Sequence, residues 1–442
     1  MNSSAEPKRA RHIQGLDTRE LAARIVDRVC HKSSYLSLTL AAEMDRHPQL
    51  TASDRHLVTE LCYGVIRTHR ALISQLERHV PRTLNQKDGM VLAHLLIAAY
   101  QLLVLDRVPD FAAVDSAVSG VRKLRGAKIA GFVNALLRRV AESKARVTVA
   151  GGLLKTAPDW LQQRLESCVG GPDALALLGI VGEAGARHFE TPPACVRVIA
   201  GRAAPAWLQD APASRWIPGA YTVSGYGDLR QRGADFTVQE EGAQILGWLV
   251  GAQPGERILD ACAGRGNKSL LLAERVGAAG RIFAADLYAS KLETLSEHAR
   301  ALGLSLETAS VDWTEGVGTV PNNFDRVLVD APCTGVGTLR RRPEILLRLK
   351  PEDPERMATI AAAILRNAAS RVRASGRIVF AVCSVLPEEC EGVLARVADI
   401  LEPVPFEVPE LSSLIPPGST ALRLLPRVHG TDGYFVANLR LI

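Results

Sequence analysis

The chain has 442 residues, 47% hydrophobic and 23% charged, with a net charge of +6. That length exceeds what one hydrophobic core usually organises, so two or three domains are expected, and the balance of residue types excludes a disordered or fibrous chain. The start, MNSSAEPKRARH, lacks an apolar signal core and no apolar run is long enough to span a bilayer, which predicts a cytoplasmic protein without membrane contact.

Residues 1–15 read as a basic tail. From 16 to 145 the pattern is helical. LAARIVDRVC (21–30), HLVTELCYGVI (56–66), GMVLAHLLIAAYQLLVL (89–105) and AGFVNALLRRV (130–140) place apolar residues at i, i+3, i+4 and i+7, the stripe of a helix packed against neighbours. Thr51 with Asp54 is a capping signal before the second of these. An all-α bundle follows. Between Ser116 and Ala150 eight Lys and Arg, among them Arg138 and Arg139, face a single acid, Glu142. A second basic run is Arg340, Arg341 and Arg342. Two such clusters on one chain suggest a track for nucleic-acid phosphates.

Residues 146–235 read as a connector with a small α/β subdomain, containing WLQQRLESC (160–168) as helix and CVRVI (195–199) as strand. From 236 to 442 short apolar runs of parallel-strand type, RILDA (257–261), RIFAAD (281–286), RVLVD (326–330) and RIVFAVC (377–383), alternate with helical patterns. This predicts a doubly wound α/β Rossmann-like domain, whose ligands sit at the carboxyl ends of the strands.

Two sets of residues fall at those ends. The first is LDACAGRGNKS (259–269), a strand, a glycine-bearing turn and a helix, with Asp286 closing the next strand. Backbone N–H groups in such a turn face a ligand, and the acid accepts from ribose hydroxyls. A nucleotide triphosphate would require GxxxxGK[ST], but Asn267 precedes Lys268. A dinucleotide prefers GxGxxG, but Ser269 fills the last position. An adenosyl cofactor without a long phosphate chain remains, and S-adenosylmethionine fits.

The second set is a pair of thiols, Cys333 in DAPC and Cys383 in VCSVLPEE. None of the eight cysteines forms a CxxC, so no metal is expected and the thiols read as free. Adjacent strand ends would bring Cys333 and Cys383 to one cleft. Carbon 5 of cytosine is a poor nucleophile, and a thiolate added at carbon 6 turns the ring into an enamine able to accept a methyl at carbon 5. Asp330 would stabilise charge near ring nitrogen 3. A helix N-terminus behind Cys383 and nearby basic groups would lower a thiol's pKa. Either thiol fits the nucleophile's part on sequence order alone.

At these residues the chain resembles the RsmB (also called Fmu or Sun) family, bacterial methyltransferases that make 5-methylcytosine in small-subunit (16S) ribosomal RNA. ELCYGVIR (60–67) and GFVNALLRR (131–139) look like that family's NusB-like RNA-binding domain. FTVQEEGAQ (236–244), DAPCTGVGTLRRRPE, VCSVLPEE and HGTDGYFVANL (429–439) resemble its catalytic segments. The resemblance implies Cys383 as nucleophile and Cys333 as the group assisting product release. It also implies cofactor contacts from Cys262, Ala263, Gly264, Arg265, Gly266, Asn267, Lys268, Asp286, Asp312 and Asp330. The implied partner is 16S ribosomal RNA, and a monomer is expected. One departure stands out: the family's AAPGGKT reads AGRGNKS here, so Arg265 replaces Pro and Asn267 replaces Gly, with Asn267 expected to tolerate a left-handed turn. The alternative reading is a NusB-like RNA-binding protein carrying an inactive methyltransferase fold.

Overall fold

The computed structural model describes residues 18–32, 34–80, 88–223 and 235–442. The expected basic tail, 1–15, lies outside them. The chain divides into two compact units, residues 1–156 and 157–442.

The first unit is helical: α1 (Thr18–His31), α2 (Leu36–Arg46), α3 (Ala52–Glu77), α4 (Gly89–Leu103), α5 (Asp110–Glu142) and α6 (Val149–Thr156). Thr51 and Asp54 form the expected capping box, the Thr51 hydroxyl accepting from Asp54 N–H and the Asp54 carboxylate from Thr51 N–H. The central helix α4 is apolar all round and buried from Val91 to Leu103, packed among α1, α3 and α5. The unit continues past 145, because α6 packs on α3 and closes the bundle at Thr156. Helix α5 is kinked at Gly126, whose φ of 78° only glycine adopts readily. Residues 122–129 around the kink are all exposed.

The second unit opens with α7 (Asp159–Val169) and α8 (Gly171–Leu177), then a two-stranded ribbon, β1 (Ile180–Val181) and β2 (His188–Phe189). A three-stranded antiparallel sheet follows, from β3 (Ala194–Val198), β4 (Ala220–Val223) and β5 (Phe236–Val238), in the order β4-β3-β5. Next come α9 (Glu241–Leu249), β6 (Arg257–Asp260), α10 (Asn267–Val276), β7 (Arg281–Asp286), α11 (Ala289–Leu302), β8 (Glu307–Ser310) and β9 (Phe324–Asp330). The chain ends with α12 (Asp353–Ala369), β10 (Val372–Val382), α13 (Glu391–Ala395), β11 (Leu401–Pro403), β12 (Ala421–Leu424), α14 (Pro426–His429) and β13 (Tyr434–Leu441).

The main sheet runs β11-β13-β10-β9-β6-β7-β8, with β12 also on β13. Strands β10, β9, β6, β7 and β8 are parallel, whereas β13 lies antiparallel against β10 and makes the sheet mixed. Both faces are covered, which explains the near-continuous apolar runs. Val327 and Val329 face one core with Leu365 and Phe380, while Leu328 faces the other with Ile245 and Val379. After β6 the chain winds outward through β7 and β8 and then returns to β9 on the other side of β6. This reversal places a crevice at the carboxyl ends of β6 and β9. Among the described residues no helix is long and apolar enough to cross a membrane.

Candidate active site

The turn after β6 carries positive φ at Gly264 (57°) and Gly266 (91°). A Cβ on Gly266 would also overlap Leu295, so that position needs glycine twice over. Asn267 does not take the left-handed turn expected of it. It is the first residue of α10, and the left-handed angles fall on Gly264 and Gly266, of which only Gly266 is a glycine in the family's AAPGGKT. Arg265 points outward and is exposed. The turn's left-handed angles therefore do not rest on Arg265 or Asn267.

Acids frame this turn. Asp286, buried at the end of β7, accepts from Gly264 N–H at 2.9 Å through one oxygen. Its other oxygen accepts from Tyr288 N–H at 2.9 Å and Lys291 Nζ at 3.1 Å. Asp260 is buried and accepts from the Ser269 hydroxyl at 2.6 Å. Burial pushes its carboxyl up to about 6, with the Ser269 bond opposing. Asp312 is exposed and one of its oxygens accepts from Thr314 N–H and hydroxyl, bonds that hold its carboxyl below the usual range. Lys268, on the first turn of α10, donates to Asp330 Oδ2 at 2.6 Å, across from β6 to β9. Burial alone would lower the Lys268 ammonium, but the Asp330 carboxylate keeps it charged and raises it. An open glycine turn beside a strand-end acid suits an adenosine-bearing ligand, because the acid can take both ribose hydroxyls.

The thiols meet as expected. Strand β9 ends at Asp330, paired with Ala381 of β10, so Cys333 and Cys383 leave adjacent parallel strands on one side. Their sulfurs are 3.3 Å apart. Gly337 N–H donates to Cys383 C=O at 3.0 Å and Gly433 N–H to Gly337 C=O at 2.8 Å. A Cβ on Gly337 would overlap the Gly433 carbonyl, so backbone packs directly on backbone behind Cys383.

The two thiols are electrically unequal. The hydrogen bond with Cys333 is the largest influence on Cys383 and lowers it, helped by Arg342 and Lys268 and opposed by burial and the Asp330 charge. Cys333 is raised, by that same bond, by burial and by the charge of Glu389. No helix opens directly behind Cys383, contrary to expectation. Leu386 N–H there donates to the Ser384 hydroxyl, and α13 starts only at Glu391.

The second basic run is corrected as well. Arg340, 9% exposed, pairs through Nε with buried Asp432. Arg341 Nε reaches the other Asp432 oxygen at 3.0 Å and its Nη1 donates to Pro193 C=O at 2.9 Å. A buried carboxylate needs such partners more than a solvated phosphate does, so these two guanidiniums fix the loop before β13. Arg342 stays within electrostatic reach of Cys383. In the helical unit Arg138 and Arg139 are exposed on α5, as are Arg122, Lys123, Arg125 and Lys128. Sequence reasoning did not find Asp432 or Glu389 as partners, though both stand in quoted strings, HGTDGYF and VCSVLPEE.

Comparison with known proteins gives the family and the fold. The chain matches the family described as 16S rRNA methyltransferase RsmB/F over residues 248–440 and the NusB family over residues 16–142. It is 32% identical to the ribosomal RNA small subunit methyltransferase B of Thermus thermophilus, over 88% of this chain and 89% of that one. It is 29% identical to the probable ribosomal RNA small subunit methyltransferase B of Synechocystis, over 96% and 99% of the two chains. In fold it is similar to the crystal structure of PH0851, with a TM-score of 0.81 and 21% identity over 96% and 99% of the chains.

Proposed function

Because this chain belongs to the ribosomal RNA small subunit methyltransferase B family, we propose that it methylates carbon 5 of a cytosine in 16S ribosomal RNA through a covalent bond from Cys383 to carbon 6. At the coarser level it is an S-adenosylmethionine-dependent methyltransferase of small-subunit ribosomal RNA. The observation that carries the finer reading is the 3.3 Å sulfur pair beside the Lys268–Asp330 bond at the reversal of the sheet. Ring nitrogens and ribose oxygens carry lone pairs and need no thiol to make them nucleophilic. A ring carbon does.

When bound, S-adenosylmethionine supplies the electrophilic sulfonium methyl that carbon 5 accepts, and residues 262–268, Asp286, Asp312 and Asp330 are the groups that would hold it. The chain's own residues do the rest. Cys383 Sγ, the more acidic thiol, bonds to carbon 6 and makes carbon 5 electron-rich. Asp330, at the end of β9, accepts from ring nitrogen 3 once that nitrogen has taken a proton from water, which offsets the electron pair the thiolate brings. Loss of the carbon 5 proton to water and departure of Cys383 Sγ as a thiolate restore the ring, with Cys333 assisting that release. The exposed cations of α5, Arg138 and Arg139 included, are the phosphate contacts of the helical unit. The binding-only alternative drew its support from Arg265 and Asn267; Arg265 is exposed and the positive φ angles fall on Gly264 and Gly266, which favours the active reading.

The test is transfer of labelled methyl to 16S ribosomal RNA followed by nucleoside mass spectrometry. Label in 5-methylcytidine is expected. Label confined to another nucleoside would overturn the reading.

A further inference from the structure

One carboxylate joins the two loops that carry the thiols. Thr334, next to Cys333, donates its N–H to Glu389 Oε1 and its hydroxyl to Glu389 Oε2, each at 2.6 Å. Ser384, next to Cys383, donates its hydroxyl to the same Oε2 at 2.5 Å. Glu389 is 1% exposed. We propose that Glu389 is a positioning residue for the thiol pair, holding the loop after β9 and the loop after β10 in the register that sets the two sulfurs side by side. The role rests on the methyl-transfer reading above.

Three features point this way. First, a carboxylate accepts only, and its two oxygens here take three donors from both thiol-bearing loops. Its reach matters: a side chain one methylene shorter on the same backbone falls short of one loop or the other. Second, burying a carboxylate among neutral donors is costly, and burial does push the Glu389 carboxyl up, with the Ser384 and Thr334 bonds opposing. Filling the space with an apolar side chain would avoid that cost. Third, the negative charge stands on the Cys333 side of the pair. It raises Cys333, whereas Arg342 and Lys268 lower Cys383. Glu389 touches neither sulfur in this account. It acts through Thr334 and Ser384.

The test measures sulfur separation apart from methyl transfer. Diamide takes two protons and two electrons from a pair of thiols, leaving a disulfide and the hydrazine form of the reagent. The rate of Cys333–Cys383 cross-linking, mapped by mass spectrometry on the full chain, therefore reports how often the sulfurs meet. In Glu389→Asp and Glu389→Ala the cross-link is expected to form at least about tenfold more slowly. kcat is expected to fall by a similar factor while KM for RNA and for S-adenosylmethionine stays within about threefold, since a displacement near 1 Å is enough for losses of that size. Glu389→Gln keeps the length and is expected to cross-link faster than Glu389→Asp. It also keeps the inference testable if the alanine variant does not fold. Wild-type cross-linking rates in folded Glu389→Asp, or Glu389→Gln slower than Glu389→Asp, would overturn it. If the variants cross-link slowly but the wild-type chain methylates no RNA, the functional reading fails and the positioning role stands.

Discussion

Lys268 Nζ and Asp330 Oδ2 lie 2.6 Å apart and tie the first turn of α10 to the tip of β9. The bond couples the glycine turn expected to hold the cofactor to the strand that leads into Cys333. Lys268→Met leaves Asp330 without its cation. Breaking a fully buried pair costs about 3–5 kcal/mol. The two side chains here are 15% and 27% exposed, so roughly half of that is expected from the same rule. Calorimetry should show S-adenosylmethionine binding weakened by about tenfold, the worth of one charged hydrogen bond. Unchanged affinity and unchanged thermal stability would show the bond to be incidental.

The thiol pair sets a pH dependence. Cys383 is lowered chiefly by its hydrogen bond with Cys333. Its thiolate fraction grows as pH rises through its pKa, and a lowered pKa moves that rise to lower pH than for a free thiol. Iodoacetamide should therefore label Cys383 before Cys333, with peptide mapping as the readout. In Cys333→Ala the labelling profile of Cys383 should move to higher pH, because the donor is gone. An unmoved profile would contradict the assigned polarity.

Gly337 is expected to reject any side chain. Its Cα faces the Gly433 carbonyl, and its N–H holds the Cys383 carbonyl at 3.0 Å. Backbone cannot rotate away as a side chain does. Gly337→Ala should cost about 1–3 kcal/mol or more of stability, the range for overpacking, measured by denaturant unfolding. Methyl transfer should fall with it because Cys383 is displaced. A neutral effect on both would contradict the packing described.

Arginines in the two basic clusters should behave differently. Arg340→Ala strips buried Asp432 of one of its two cations and should cost stability, less than the about 3–5 kcal/mol of a fully orphaned buried charge because Arg341 remains. It should leave the salt dependence of RNA binding unchanged. Arg138→Ala should do the opposite: stability held, and the slope of log affinity against log salt reduced by about one. Filter binding over a salt series decides between these outcomes.

That contrast also shows where sequence is informative. Strands β6, β7, β9 and β10 were legible because parallel strands covered on both faces must be apolar along their length. The thiol pair was legible because each cysteine follows such a run. Arg340 was not, because a run of arginines reads the same whether it meets phosphate or a carboxylate ninety-two positions away. The left-handed angle expected at Asn267 fell on Gly264 and Gly266 instead, since local substitution patterns do not fix which residue of a turn carries the strain. The kink at Gly126 was missed because helical periodicity continues on both sides of it.

In the proposed reaction Cys383 Sγ bonds to carbon 6 of a cytosine and Cys333 helps release it. Incubation of the chain with 16S ribosomal RNA and S-adenosylmethionine, followed by denaturing electrophoresis, reads that bond directly. Cys333→Ser should accumulate a protein–RNA adduct, and Cys383→Ser should form none. An adduct trapped by Cys383→Ser, or none with either variant, would contradict the account.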